Sequence, residues 1–126
     1  MLRATELFQQ NQCKPALKLL ETIAEEKRKA DYYSLKGACY CKLERYEEAV
    51  KHLNKAIDLQ ELRNCTKDLA CRAIAHAALS KYHAAIDDYT MSLCLRPSST
   101  VYYNRAKAYH SVDKIAYAVE DCKRAL

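Results

Sequence analysis

The stretch YYSLKGACYCKLERYEEAVKHLNKAIDL, residues 32–59, decides the fold. Its apolar residues recur at offsets of three, four and seven, which gives each of two helices one greasy face. Small side chains stand at Gly37 and Ala49, twelve residues apart. Two helices joined by a short turn approach closely only where both offer little bulk, so this couple marks a crossing point. Tyr40, Leu43, Tyr46 and Leu53 are placed to fill the space around it.

Working outward, the same arrangement returns. YHAAIDDYTMSLCL (82–95), IAYAVEDCKRAL (115–126) and, more weakly, CKPALKLLETIA (13–24) all carry an apolar residue, then alanine three later, then an aliphatic one. The anchoring alanines are Ala16, Ala49, Ala85 and Ala118, at spacings of 33, 36 and 33. Twelve residues before each lies Ala4, Gly37, Ala73 or Ala106. The longer middle spacing reflects two or three extra residues in QELRNCTK (60–67). A period of this length marks a repeat architecture, in which one unit cannot bury its apolar face alone.

The pattern resembles the tetratricopeptide repeat (TPR), a helix–turn–helix unit. Gly37, Tyr40, Tyr46, Ala49 and Ala56 fall on the family's signature places. So do Ala73, Tyr82, Ala85, Tyr89 and Pro97, and then Tyr102, Ala106, Tyr109, Ala118 and Ala125. The resemblance implies an all-α superhelical array of antiparallel helix pairs, with about seven to eight helices in a single domain. The units are expected at approximately 1–29, 30–63, 66–98 and 99–126. Two departures stand out. The leucine that the family often sets before the first small residue is replaced by Arg3, Lys36, Arg72 and Arg105, and no polar capping helix follows Leu126. The expectation is a fragment of a longer protein, or an array that continues through a partner or by self-association of its terminal helices.

Composition narrows the remaining classes. One glycine and two prolines argue against an all-β fold. No apolar run is long enough to span a bilayer, and MLRATELFQQ lacks the core of a signal peptide, so the expected location is cytoplasmic or nuclear, without membrane contact. The net charge of +5 comes from 21 basic and 16 acidic residues mixed along the chain. Seven cysteines include no CxxC, and Cys39 and Cys41 point to nearly opposite faces of a helix, so no metal site is expected. Reduced, mostly buried thiols are the expected state. The run KRK at 27–29 reads as a solvated helix C-terminus. His76 reads as a satisfied core histidine, and His83 with Asp87 has no nucleophile beside it. No glycine loop for phosphate is present. The chain is therefore read as a non-enzyme without cofactor.

The resemblance also implies a concave groove lined mainly by the first helix of each unit. The residues that register there include Phe8, Leu35, Lys42, Lys67, Ile74, Tyr103, Asn104, Lys107 and His110. Asn104 stands where the middle-unit asparagine of a co-chaperone carboxylate clamp would, and Lys67 fits another clamp place. Ala70, Cys71 and Ile74 occupy places where the clamp needs lysine, arginine and asparagine, so a full clamp is not expected. The expected function is a protein–protein interaction scaffold or adaptor, a co-chaperone or assembly factor, holding a partner's peptide or helix. The alternatives are a nucleic-acid-binding helical repeat, which would use the ladder Arg3, Lys36, Arg72 and Arg105, and a regulatory domain of a larger enzyme. Nucleic acid is the weaker partner class, because the stems of that ladder can pack between units while the charged heads reach water or nearby acids.

Overall fold

A computed structural model describes residues 2–126, and among them there are helices and no strands. Eight α-helices follow in order: α1 (Leu2–Gln9), α2 (Cys13–Glu21), α3 (Ala30–Lys42), α4 (Tyr46–Asp58), α5 (Thr66–Ala78), α6 (Tyr82–Leu95), α7 (Ser99–Ser111) and α8 (Ile115–Ala125). Consecutive helices pair, and each pair packs on the next: α3 lies on α1 and α2, α5 on α3 and α4, and α7 on α5 and α6. The array is an all-α solenoid of helix pairs, as the period predicts.

The eight small residues sit where that reading requires them. Ala4, Ala16, Gly37, Ala49, Ala73, Ala85, Ala106 and Ala118 are all buried. Gly37 shows how close the crossing is: a Cβ built there would lie 2.6 Å from Leu53 Cγ and 3.4 Å from the Ala49 carbonyl oxygen. Around these contacts lie two cores. One gathers Leu7, Leu17, Leu20, Tyr32 and Cys39 at the junction of the first two pairs. The other gathers Tyr89, Leu93, Val101 and Ala108 at the junction of the last two.

The turn inside each pair repeats as faithfully as the alanines. Asn11, Glu44, Ser80 and Asp113 have φ of 61°, 60°, 63° and 60°. At each, the following amide (Gln12, Arg45, Lys81 or Lys114) donates to the carbonyl five residues back, at 2.8 to 2.9 Å. This is the Schellman closure, whose left-handed residue is usually glycine. Here it never is.

Two sequence expectations need correction. The KRK run is not a helix end. α2 stops at Glu21, Glu25–Lys27 is a separate 3₁₀ turn, and Arg28 Nε donates to the Ile23 carbonyl at 3.1 Å while its guanidinium lies 5.1 Å from the Tyr32 ring centre. The thiols are also less hidden than expected. Cys13, Cys39 and Cys65 are buried and Cys41 and Cys71 half-buried, but Cys94 and Cys122 point outward from α6 and α8. Burial pushes the Cys39 and Cys41 thiols up to about 12, which makes both poor nucleophiles. No helix is long and apolar enough to cross a membrane among the described residues.

Candidate functional site

The first helices of the later pairs present side chains that packing has not consumed. Ile74 and Ala78 on α5, with Asn104, Lys107 and Ser111 on α7, line a cleft of about 330 Å³ floored by the buried ring of Tyr89. A wider groove of about 890 Å³ runs between α7 and α8, and Tyr103, Lys107 and His110 belong to it. Lys107 borders both hollows, with its Nζ 5.1 Å from the Tyr103 ring centre. Ile74 and Tyr103 are large apolar side chains, 41% and 53% exposed.

The structure thus brings five of the nine sequence-derived site residues to the carboxyl-terminal half: Ile74, Asn104 and Lys107 in the cleft, and Tyr103 and His110 with Lys107 in the groove. The other four are elsewhere. Lys42 Nζ lies 4.1 Å from the Phe8 ring centre and donates to Asn11 Oδ1 at 3.0 Å, so this couple joins the first two pairs. Leu35 is half-buried against the first core. Lys67 is exposed and lines neither hollow.

The cationic ladder is largely committed to internal contacts. Arg72 forks onto Asp88, with Nε and Nη2 each 2.8 Å from a carboxylate oxygen, and its Nη1 donates to Asn54 Oδ1 at 2.9 Å. Arg105 does the same to Asp121 at 2.7 and 2.8 Å, and to Thr90 Oγ1 at 3.1 Å. The carboxylate bonds hold both guanidiniums even more firmly protonated than usual. Each fork ties the two helices of its own pair together and reaches back to the pair before. At the same register, Lys36 faces His52, and Arg3 makes only an exposed contact with Glu6.

The sequence of the second pair matches the tetratricopeptide repeat model over residues 30–61, which covers α3 and α4. The chain carries a tetratricopeptide repeat. Solved structures of MamA resemble this TPR chain over almost its whole length. One aligns with 98% of this chain and 67% of its own at a TM-score of 0.87 and 18% identity. MamA from Desulfovibrio magneticus RS-1 aligns with 97% and 69% at 0.85 and 18%, and MamA MSR-1 with 97% and 70% at 0.82 and 22%. At such identities the likeness establishes the TPR fold alone. No curated protein matches the sequence.

Within this TPR frame, two features escaped the sequence reading. The aspartate partners of the ladder stand sixteen residues after Arg72 and Arg105, a recurrence across the pair that the chain displays openly. His76 is not the satisfied histidine expected. Its Nε2 is 3.7 Å from Asp88, its buried Nδ1 has no hydrogen-bond partner, and burial lowers its pKa. The first and second helix pairs have leucine and tyrosine, Leu7 and Tyr40, where this histidine stands.

Proposed function

We propose that this chain is a protein–protein interaction scaffold, a single domain of four stacked TPR units at approximately 1–29, 30–63, 66–98 and 99–126, which binds a peptide or short helix of a partner on its concave side. The observation that carries the reading is the cleft between α5 and α7. Ile74 offers an apolar anchor, Asn104 and Lys107 offer donors, and Ser111, whose hydroxyl donates to the Lys107 carbonyl at 3.1 Å, offers an acceptor, and none of these is taken up by the core. That mixture suits an extended or helical polypeptide with one apolar side chain seated among polar contacts. The work of such a scaffold is to bring proteins together in assembly or as a chaperone's adaptor. Free thiols throughout the described residues fit a reducing compartment such as the cytoplasm.

Nucleic acid is the weaker reading because Arg72 and Arg105, the centre of the ladder, hold aspartates rather than facing outward. The experiment is a comparison of proteins retained by the intact chain and by an Ile74→Asp, Lys107→Glu variant whose helicity is verified by circular dichroism. Loss of a discrete partner that otherwise survives about 0.5 M salt supports the groove, since phosphate contacts weaken steeply at that ionic strength. An identical set of partners, or retention of RNA in place of protein, overturns it.

A further inference from the structure

Two thiols meet where the first helix pair packs on the second. Cys13 opens α2 and Cys39 lies on α3, and both belong to the buried core at that junction. Their sulfurs are close enough for the two thiols to share a hydrogen bond. Cys41 and Cys65 face backbone instead: Cys41 Sγ donates to the Cys71 carbonyl at 3.7 Å, and Cys65 Sγ to the Glu61 carbonyl at 3.3 Å. The Cys13–Cys39 couple is also an exception to the period. At the same register the next two junctions carry Tyr46 with Ala75 and Tyr82 with Ala108, a large side chain and a small one, and the second of these couples lines the α5–α7 cleft.

No arginine fork crosses this junction. Arg72 reaches from α5 back to Asn54 on α4, and Arg105 from α7 back to Thr90 on α6, but Lys36 donates to the Tyr32 hydroxyl of its own helix at 3.2 Å. Burial, reinforced by the neighbouring Cys13 thiol, pushes the Cys39 thiol up to about 12. The closed junction therefore keeps Cys39 protonated and slow to react. A thiolate forms when α2 and α3 part and water enters, and reclosure returns the two sulfurs to each other. A disulfide needs them to approach to about 2 Å, a short step for thiols already in contact.

We propose that Cys13 and Cys39 form a reversible disulfide that fastens the first helix pair to the second when the surrounding thiol pool becomes oxidised. The oxidant is a low-molecular-weight disulfide such as oxidised glutathione. One cysteine thiolate attacks it, forms a mixed disulfide and expels one glutathione thiolate. The second cysteine attacks the protein sulfur of that mixed disulfide and expels the other. One S–S bond forms in the protein, two electrons pass to the oxidant, and the two thiol protons end on two molecules of glutathione. Excess reduced glutathione runs the steps backwards. Neither cysteine lines the α5–α7 cleft, so the staple and the peptide-binding reading are independent.

The test uses the whole chain with its exposed thiols removed by Cys94→Ser and Cys122→Ser, so that chains do not cross-link. It is equilibrated in glutathione buffers from fully reduced to fully oxidised, with and without sub-denaturing urea to speed opening, then alkylated and mapped by mass spectrometry. The expected product is one intramolecular bond, Cys13–Cys39, that dithiothreitol reverses, with helicity unchanged by circular dichroism. Amide exchange in α2 and in the part of α3 that meets it is expected to slow about tenfold on oxidation, because the bond restrains the opened state. Adding Cys13→Ala is expected to abolish both the bond and the slowing. Four results overturn the proposal: both thiols stay free in the oxidised buffers; Cys39 stops at the glutathione mixed disulfide; the bond found joins other cysteines, such as Cys41 and Cys71; or exchange in α2 and α3 is the same in the two redox states.

Discussion

Glu44 adopts φ of 60° on the exposed turn between α3 and α4, a conformation that a side chain with a Cβ resists. Replacing it with glycine removes that strain and outweighs the added freedom of the unfolded chain, so Glu44→Gly is expected to raise stability by about 0.5–1 kcal/mol, read from the urea midpoint at constant slope. Gly37 shows the opposite case. It lies inside α3, where alanine is intrinsically better by about 1 kcal/mol. The Leu53 side chain nonetheless occupies the space a Cβ needs, and Leu53 is fully buried. Gly37→Ala is expected to cost about 1–3 kcal/mol by overpacking, and thermal unfolding that shows stabilisation would contradict the tight crossing. These two positions mark what was legible at this scale. The small residues could be read because they sit in a periodic pattern. The left-handed turns could not, because Asn11, Glu44, Ser80 and Asp113 share a backbone angle but no side chain.

Between helices, the Arg105–Asp121 fork is the most buried charge pair of the chain, with its carboxylate almost wholly enclosed. Asp121→Ala strands the guanidinium and is expected to cost about 3–5 kcal/mol. Arg105→Met with Asp121→Leu removes both charges and is expected to recover most of that loss, which a double-mutant cycle in urea resolves. The α5–α6 pair adds a pH dependence. Burial lowers the pKa of His76, as it does that of His52 between α3 and α4. Unfolded histidine titrates near 6.5, so between that value and the lower folded pKa the unfolded chain binds the extra protons. Stability is expected to be fully present above neutral pH and to decline as pH falls through about 6.5. His76→Tyr, which installs the residue found at Tyr40 and Tyr109, is expected to flatten that acid limb in melting curves taken from about pH 7.5 to 5. The pairing of helices was visible in the period, but the role of the cations was not. A ladder of Arg and Lys looks the same in one dimension whether it faces phosphate or a buried aspartate, and only the recurrence at sixteen residues distinguishes them.

At the scale of the whole molecule, stacking follows from the repeat, since every internal pair leaves one face that only its neighbour covers. The fold was therefore readable from the alanine spacing. The candidate groove was legible only in part, because Lys42 and Phe8 share its register yet spend themselves on each other. The two forks run in series: Arg72 links α4, α5 and α6, and Arg105 links α6, α7 and α8. Ahead of them, Arg3 and Lys36 have no aspartate to seize. Tugged by its two ends, the coil should peel from its amino-terminal side, with α1 and α2 lifting away while the stitched helices behind them hold. Amide protons there should correspondingly be the first to trade with solvent deuterium.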